Sequence, residues 1–120
     1  MANKDPKLYE KLASQSATFR TTALNVSTID RIGYAIRTTG SLEGTWRVQY
    51  SNDYIPRVDD PTSDAKWDEY TLDVNPPDAA GSGQTFGIPL DDFEYAFVRI
   101  KFTRSAGTGT VEVWYQGKGT

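Results

Sequence analysis

The sequence of 120 residues contains no cysteine and no histidine. Without cysteine, these residues hold neither a disulfide scaffold nor a thiolate metal site. Without histidine, they lack the side chain that most readily transfers protons near neutral pH, and also the commonest transition-metal ligand. Nucleophilic mechanisms of the Ser-His-Asp and Cys-His types are therefore excluded, and only carboxylate or lysine chemistry is left for an enzyme.

Long apolar runs are also missing, and no stretch approaches the length that spans a bilayer. The first fifteen residues lack the apolar segment of a secretory signal. We therefore expect a soluble protein that is made in the cytoplasm and does not enter a membrane.

The net charge of −3 is unevenly distributed along the chain. Residues 1–39 carry a net charge of +3, residues 40–80 carry −6, and residues 81–120 are balanced. An acidic chain of this kind is not expected to bind nucleic acid directly through its phosphate backbone. The basic first third is suited to an acidic partner surface.

Apolar residues alternate with polar ones through most of the chain, which is typical of strands and not of helices. Seven Tyr, five Phe and three Trp supply a small β core. The pattern places four sets of side chains on core-facing sides: Ile32, Tyr34 and Ile36; Trp46, Val48 and Tyr50; Ala96, Val98, Ile100 and Phe102; and Val111, Val113 and Tyr115. About seven short strands separated by turn signals predict one all-β domain over residues 17–120, an antiparallel β-sandwich or jelly roll.

Residues 1–16 differ from the rest and are interpreted as an N-terminal arm. Leu8 and Leu12 lie one helical turn apart, so a short helix is predicted here. The segment is too short to be a stable helix alone in water. Either it is a frayed terminus, or it becomes ordered on a partner or a neighbouring subunit.

Acidic residues form the clearest polar cluster: Asp53, Asp59, Asp60, Asp64, Asp68 and Glu69. Their oxygens suit Ca²⁺, but the spacing matches no calcium loop and most of them accompany turn signals, so a solvated loop is favoured. Asp91, Asp92 and Glu94 are candidates for the paired carboxylates of glycoside hydrolysis, and again solvated acids are favoured. We therefore expect a protein that is not an enzyme and has no catalytic residue, no cofactor and no metal.

Aromatic residues on the polar faces are the best candidates for binding. Phe97 and Trp114 fall opposite the predicted core, and Trp67 and Tyr70 border the acidic loop. They form either a subunit interface or a platform on which sugars stack, and the interface is favoured. Arg99 shares the outward face with Phe97, Lys101 and Arg104. These cations solubilise the strand, or they pair with the acidic middle of a neighbouring copy in a homo-oligomer.

Three strings together resemble a family of small bacteriophage virion proteins. They are GTWRVQYSND from residue 44, WDEYTL from residue 67, and the closing hairpin FEYAFVRIKFTRSAGTGTVEVWYQGKG from residue 93. The resemblance covers about residues 30–119. Residues 54–65 are longer and more acidic than the short turn at this place in the family's pattern.

The resemblance implies a structural protein of the virion, most specifically a capsid decoration or cement protein. Such a protein binds the major capsid protein or another virion protein on the outer head surface, as a dimer or trimer. The arm residues expected to contact the capsid are Lys4, Lys7, Leu8, Tyr9 and Lys11. A tail or connector component is one alternative, and a carbohydrate-binding module using Trp67, Tyr70 or Trp114 is another.

Overall fold

Antiparallel strands account for nearly all the regular structure. The computed structural model describes residues 7–27, 31–72, 75–91 and 93–118, and within these ranges no residue is helical. Ten strands are present in the described residues: β1 (Lys7–Gln15), β2 (Phe19–Arg20), β3 (Leu24–Asn25), β4 (Arg31–Gly40), β5 (Glu43–Ser51), β6 (Asp68–Tyr70), β7 (Ala79–Ala80), β8 (Gln84–Asp91), β9 (Phe97–Ala106) and β10 (Gly109–Lys118). The described residues accordingly contain no helix able to cross a membrane.

The strands form two sheets with the pairing of a jelly roll. Sheet A has the order β1-β10-β4-β8, and sheet B has the order β2-β9-β5-β6, with β3 also on β9 and β7 also on β5. If β2 and β3 count as one strand and β6 and β7 as another, eight strands pair first with last, second with seventh, third with sixth and fourth with fifth. This nested antiparallel pairing wraps the chain into a two-sheet jelly roll, which confirms the predicted all-β sandwich.

The core lies between the inner faces of the two sheets. Ile36 of sheet A and Trp46, Val48, Ile100 and Phe102 of sheet B are fully buried in it. The Trp46 ring packs on the Phe102 ring with centroids 4.5 Å apart. The core-facing sides predicted from alternation are confirmed for β4, β5, β9 and β10. A register error of one residue would have exchanged every inner side chain with an outer one.

The short helix predicted in the N-terminal arm is wrong. Residues 7–15 form strand β1, which pairs antiparallel with β10 from Lys7 opposite Gln116 to Leu12 opposite Val111. A spacing of four residues is even, so positions 8 and 12 share a face in a strand as well as in a helix. Leu12 packs against the core. Tertiary pairing decided between the two structures because a segment this short has little helical stability of its own.

Candidate functional site

Arg99 is buried, which contradicts its predicted place on an exposed face. It does lie on the outer side of β9, but residues 52–67 fold over that side and leave it 1% exposed. Its Nε donates to Gln49 Oε1 (2.7 Å), and its two terminal nitrogens donate to Pro61 O (2.9 Å), Ser63 O (3.0 Å) and Asp64 Oδ1 (2.9 Å). Burial lowers the pKa of Arg99 to about 10, so the side chain stays charged at neutral pH.

Asp64 forms ion pairs with three basic side chains of sheet B. Arg20 donates to both of its carboxylate oxygens (2.9 and 3.0 Å), and Lys101 Nζ donates to Oδ2. These contacts, led by Arg20, hold the pKa of Asp64 well below its usual range. Arg99 and Lys101 therefore have an acidic partner within the same chain, and their pairing with a neighbouring copy stays a prediction. We call Asp64 with Arg20, Arg99 and Lys101 the Asp64 cluster.

Trp67 is buried as well and cannot serve as an exposed stacking platform. Its ring lies over the Arg99 guanidinium, whose central carbon is 4.0 Å from the ring centroid. Phe97 is half-buried against Tyr54, with centroids 5.5 Å apart. Tyr70 is half-buried in an aromatic cluster with Phe93, Tyr50 and Tyr95. Of the residues predicted to form one surface, three hold the covering loop on sheet B: Trp67, Phe97 and Arg99. Tyr70 packs instead among the aromatic side chains at the end of that sheet.

The acidic loop uses its carboxylates to fix its own shape. Asp59 Oδ2 accepts from the Ile55 backbone N–H (2.7 Å) and from Lys66 Nζ (3.0 Å), and these bonds lower its pKa. Asp60 Oδ1 accepts from the backbone N–H (2.8 Å) and hydroxyl (2.7 Å) of Thr62. No group of three or more potential metal ligands of the His, Cys, Asp or Glu types occurs in the part of the chain that the structure describes.

The tip of this loop, residues 55–58, exposes two apolar side chains. Val58 is 74% exposed and Ile55 about half exposed. The tip is closed by backbone bonds from Val58 N (3.2 Å) and Asp59 N (2.9 Å) to Ile55 O, with Arg57 at a φ of 69°. A non-glycine residue in this region is strained, and such strain often accompanies binding segments. This loop tip was not predicted from the sequence, although apolar residues within a run of turn residues could have indicated an exposed apolar site.

The outer face of sheet A is open and carries the remaining predicted residues. Trp114 of β10 is 37% exposed, and its ring lies 5.2 Å from that of Tyr9 on β1. Tyr9 Oη donates to Glu112 (2.7 Å), and the Arg37 guanidinium lies 5.7 Å from the Trp114 ring centroid. Tyr9 and Trp114, predicted separately for two different surfaces, are therefore neighbours. Lys11 is exposed on β1, no side chain is described for Lys7 or Leu8, and Lys4 lies outside the described residues.

Beside Trp114 the same face forms an open depression of about 590 Å³, which we call the sheet A trough. In register with Trp114 lie Ala35 on β4 and Gly87 on β8, and the next outward row contains Gly33 and Pro89. Of these, Gly33, Ala35 and Pro89 line the depression, so small residues form its floor. At the far rim, Arg31 and Asp91 are exposed and form an ion pair of 3.9 Å.

Comparisons with known proteins add little to this geometry. No protein-family model and no curated protein matches the chain. One solved structure, from "Bacillus endospore appendages form a novel family of disulfide-linked pili", is similar over 98% of this chain and 93% of its own, with 14% identity and a TM-score of 0.41. At that TM-score neither a structural nor a functional argument rests on the match.

Proposed function

We propose that the chain is a non-catalytic structural protein of a bacteriophage virion and that it decorates the outer surface of the capsid. The observation that carries this proposal is the loop tip, where Ile55 and Val58 are held out into solvent on a closed and strained turn. Exposed apolar groups on a rigid support are typical of a surface that binds another protein.

The loop tip is suited to binding because its shape is fixed in advance. Asp59 closes the turn, Lys66 anchors Asp59, and the Asp64 cluster holds the far end of the loop on sheet B. A segment that is already ordered loses little conformational entropy when it docks. Two apolar side chains give a weak contact, but the linked copies of a dimer or trimer bind one particle together and gain strength through avidity.

The fold and the resemblance of the strand sequences are compatible with this role. Jelly rolls are frequent in viral capsid proteins, although they also occur in lectins and enzymes, so the fold alone assigns no function. Residues 7–15 belong to sheet A, so deletion of residues 1–16 would remove a strand as well as an arm. The loop tip therefore replaces the arm as the capsid contact that we would test.

Quantitative mass spectrometry of purified virus particles from the source organism tests the proposal. A copy number close to that of the major capsid protein supports decoration, and a few copies per particle would instead indicate a tail or connector component. Absence from the particles would refute a virion role.

A binding assay with particles that lack the chain then tests the contact itself. The double variant Ile55→Ser/Val58→Ser should bind much more weakly, whereas Tyr9→Ser, on the outer face of the opposite sheet, should bind like the wild type. Equal binding by all three proteins, or a loss confined to Tyr9→Ser, would refute the assignment of the loop tip.

A further inference from the structure

We propose that the sheet A trough binds a neutral saccharide, with Trp114 as its stacking platform. This inference goes beyond the proposed virion role and does not depend on it. It rests on the floor of the trough, on its aromatic wall and on the pairing of charges at its rim.

The floor of the trough lacks large side chains, and the fold itself does not require this. Gly33 lines the trough, and a Cβ there would meet nothing within 4 Å. Gly87 lies beside the trough on β8, and a Cβ there would meet only the Tyr34 carbonyl at 3.5 Å, an ordinary contact. Neither glycine has a positive φ, so the backbone does not require glycine there. Glycine inside a strand weakens it, and often marks a place where a ligand or another backbone approaches closely. The open floor therefore indicates room for a bound molecule.

The wall is an aromatic ring held in a fixed place. Tyr9 packs on Trp114 from the β1 side, and Tyr9 is itself fixed by its hydrogen bond to Glu112. Arg37 packs on the indole as well. The apolar C–H face of a pyranose ring stacks on such a ring, since the face of an aromatic ring attracts weakly positive hydrogens.

The rim supplies hydrogen-bonding groups whose charges cancel. Arg31 pairs with Asp91 at one side of the trough, and these two are the charged residues among those that line it in the described structure. A guanidinium offers several donors and a carboxylate several acceptors, a combination that suits neighbouring hydroxyl groups. A charged ligand would need an unpaired opposite charge, so the balanced rim favours a neutral, polyhydroxylated one.

The dimensions of the trough fit a sugar better than a second copy of the chain. From β10 to β8 the floor spans two strand spacings, about 10 Å, and its volume lies in the range of small-molecule sites. Trp114 and Tyr9 stand above a floor of glycine and alanine, so the flat face of another sheet would meet the two rings before it reached the floor.

Fluorescence titration with cellotetraose, maltotetraose, chitotetraose and mannotetraose tests the proposal. Trp46 and Trp67 are buried, so a saturable change on addition of sugar reports on Trp114. We expect at least one of these probes to bind. Trp114→Ala lacks this reporter, so its affinity is measured by isothermal titration calorimetry beside the wild type, and the binding should be weaker by about tenfold or more. If no probe binds, the proposal is wrong.

A second pair of variants separates the open floor from folding. Gly33→Val adds a side chain where a Cβ meets nothing within 4 Å, and it should abolish binding while the melting temperature stays the same or rises. Thr85→Val replaces a hydroxyl with a methyl group on the same face outside the trough and should bind like the wild type. Unchanged binding by Gly33→Val would overturn the proposal, as would a wild-type dimer in sedimentation that Gly33→Val abolishes. Copy number on virus particles is a separate measurement, so the failure of one proposal does not imply failure of the other.

Discussion

Replacing Asp64 with alanine tests the claim that one carboxylate fastens the acidic loop to sheet B. The substitution removes the partner of Arg20, Arg99 and Lys101 together. It leaves three cations close to one another, one of them almost without access to water. The expected result is a less stable domain whose loop over residues 52–67 detaches more readily.

The size of the loss follows from the surroundings of Arg99. Leaving a fully buried charge without its partner costs about 3–5 kcal/mol, whereas an exposed ion pair contributes less than about 1 kcal/mol. The Asp64 side chain is 36% exposed, so water screens part of the interaction. Arg99 also keeps Gln49, two backbone carbonyls and the Trp67 ring. We therefore expect the free energy of unfolding to fall by about 2 kcal/mol.

The same substitution should change how stability depends on pH. Because the pKa of Asp64 is lowered on folding, its stabilising effect is complete above the ordinary value of 3.8 and is lost as the pH falls towards the lower folded pKa. The wild type should therefore lose stability below about pH 4, and the difference from Asp64→Ala should narrow there. Asp59 and Asp60 also have lowered pKa values, and they act equally in both proteins.

Urea denaturation at pH 7 and pH 3 measures both effects. Asp91→Ala is the matched control, since Asp91 is exposed and lies 3.9 Å from its only described ion-pair partner, Arg31. The control should change the free energy of unfolding by less than about 0.5 kcal/mol. If Asp64→Ala is as mild as Asp91→Ala, or if its deficit is the same at both pH values, the described role of Asp64 is wrong.

Two further substitutions test the backbone and the core. Gly107 has a φ of 77°, and a Cβ there would lie 1.8 Å from Ser41 O, so Gly107→Ala should destabilise by at least about 2 kcal/mol in urea denaturation. Gly33→Ala, at an unobstructed position, should not destabilise, and similar losses for the two variants would contradict this reasoning. The Tyr34 hydroxyl is buried without a hydrogen-bond partner, so Tyr34→Phe should leave the melting temperature unchanged or raise it. A clear fall would show that the hydroxyl has a partner, such as an internal water.

The faces of the strands were predictable because they depend on alternation alone. The inner and outer faces were predicted correctly for residues 32–36 and 98–102, since each side chain's face follows from that of its neighbours in sequence. The structure of residues 7–15 was predicted wrongly, because leucines four residues apart share a face in a helix and in a strand. Only the pairing with β10 decides that a strand forms.

The candidate surfaces depend on contacts that no local pattern contains. Arg99 alternates correctly to the outer side of β9, but a loop more than 30 residues earlier in the chain buries it. Tyr9 and Trp114 are adjacent only because β1 pairs with β10. Gly33 and Gly87 were visible as glycines within strand patterns, yet their positions in neighbouring rows of sheet A emerge only from the β4–β8 register.

The nested pairing of the jelly roll also has a consequence during synthesis. Strand β1 leaves the ribosome before the other described strands, but its described partner β10 is made last among them. At usual translation rates of roughly 5–20 residues per second, β1 waits several seconds with unpaired backbone groups. β4 likewise lacks one of its two neighbours until β10 emerges. Sheet A is therefore complete only after residues 109–118 have been translated, and until then the unpaired edges of β1 and β4 are open to pairing with other chains.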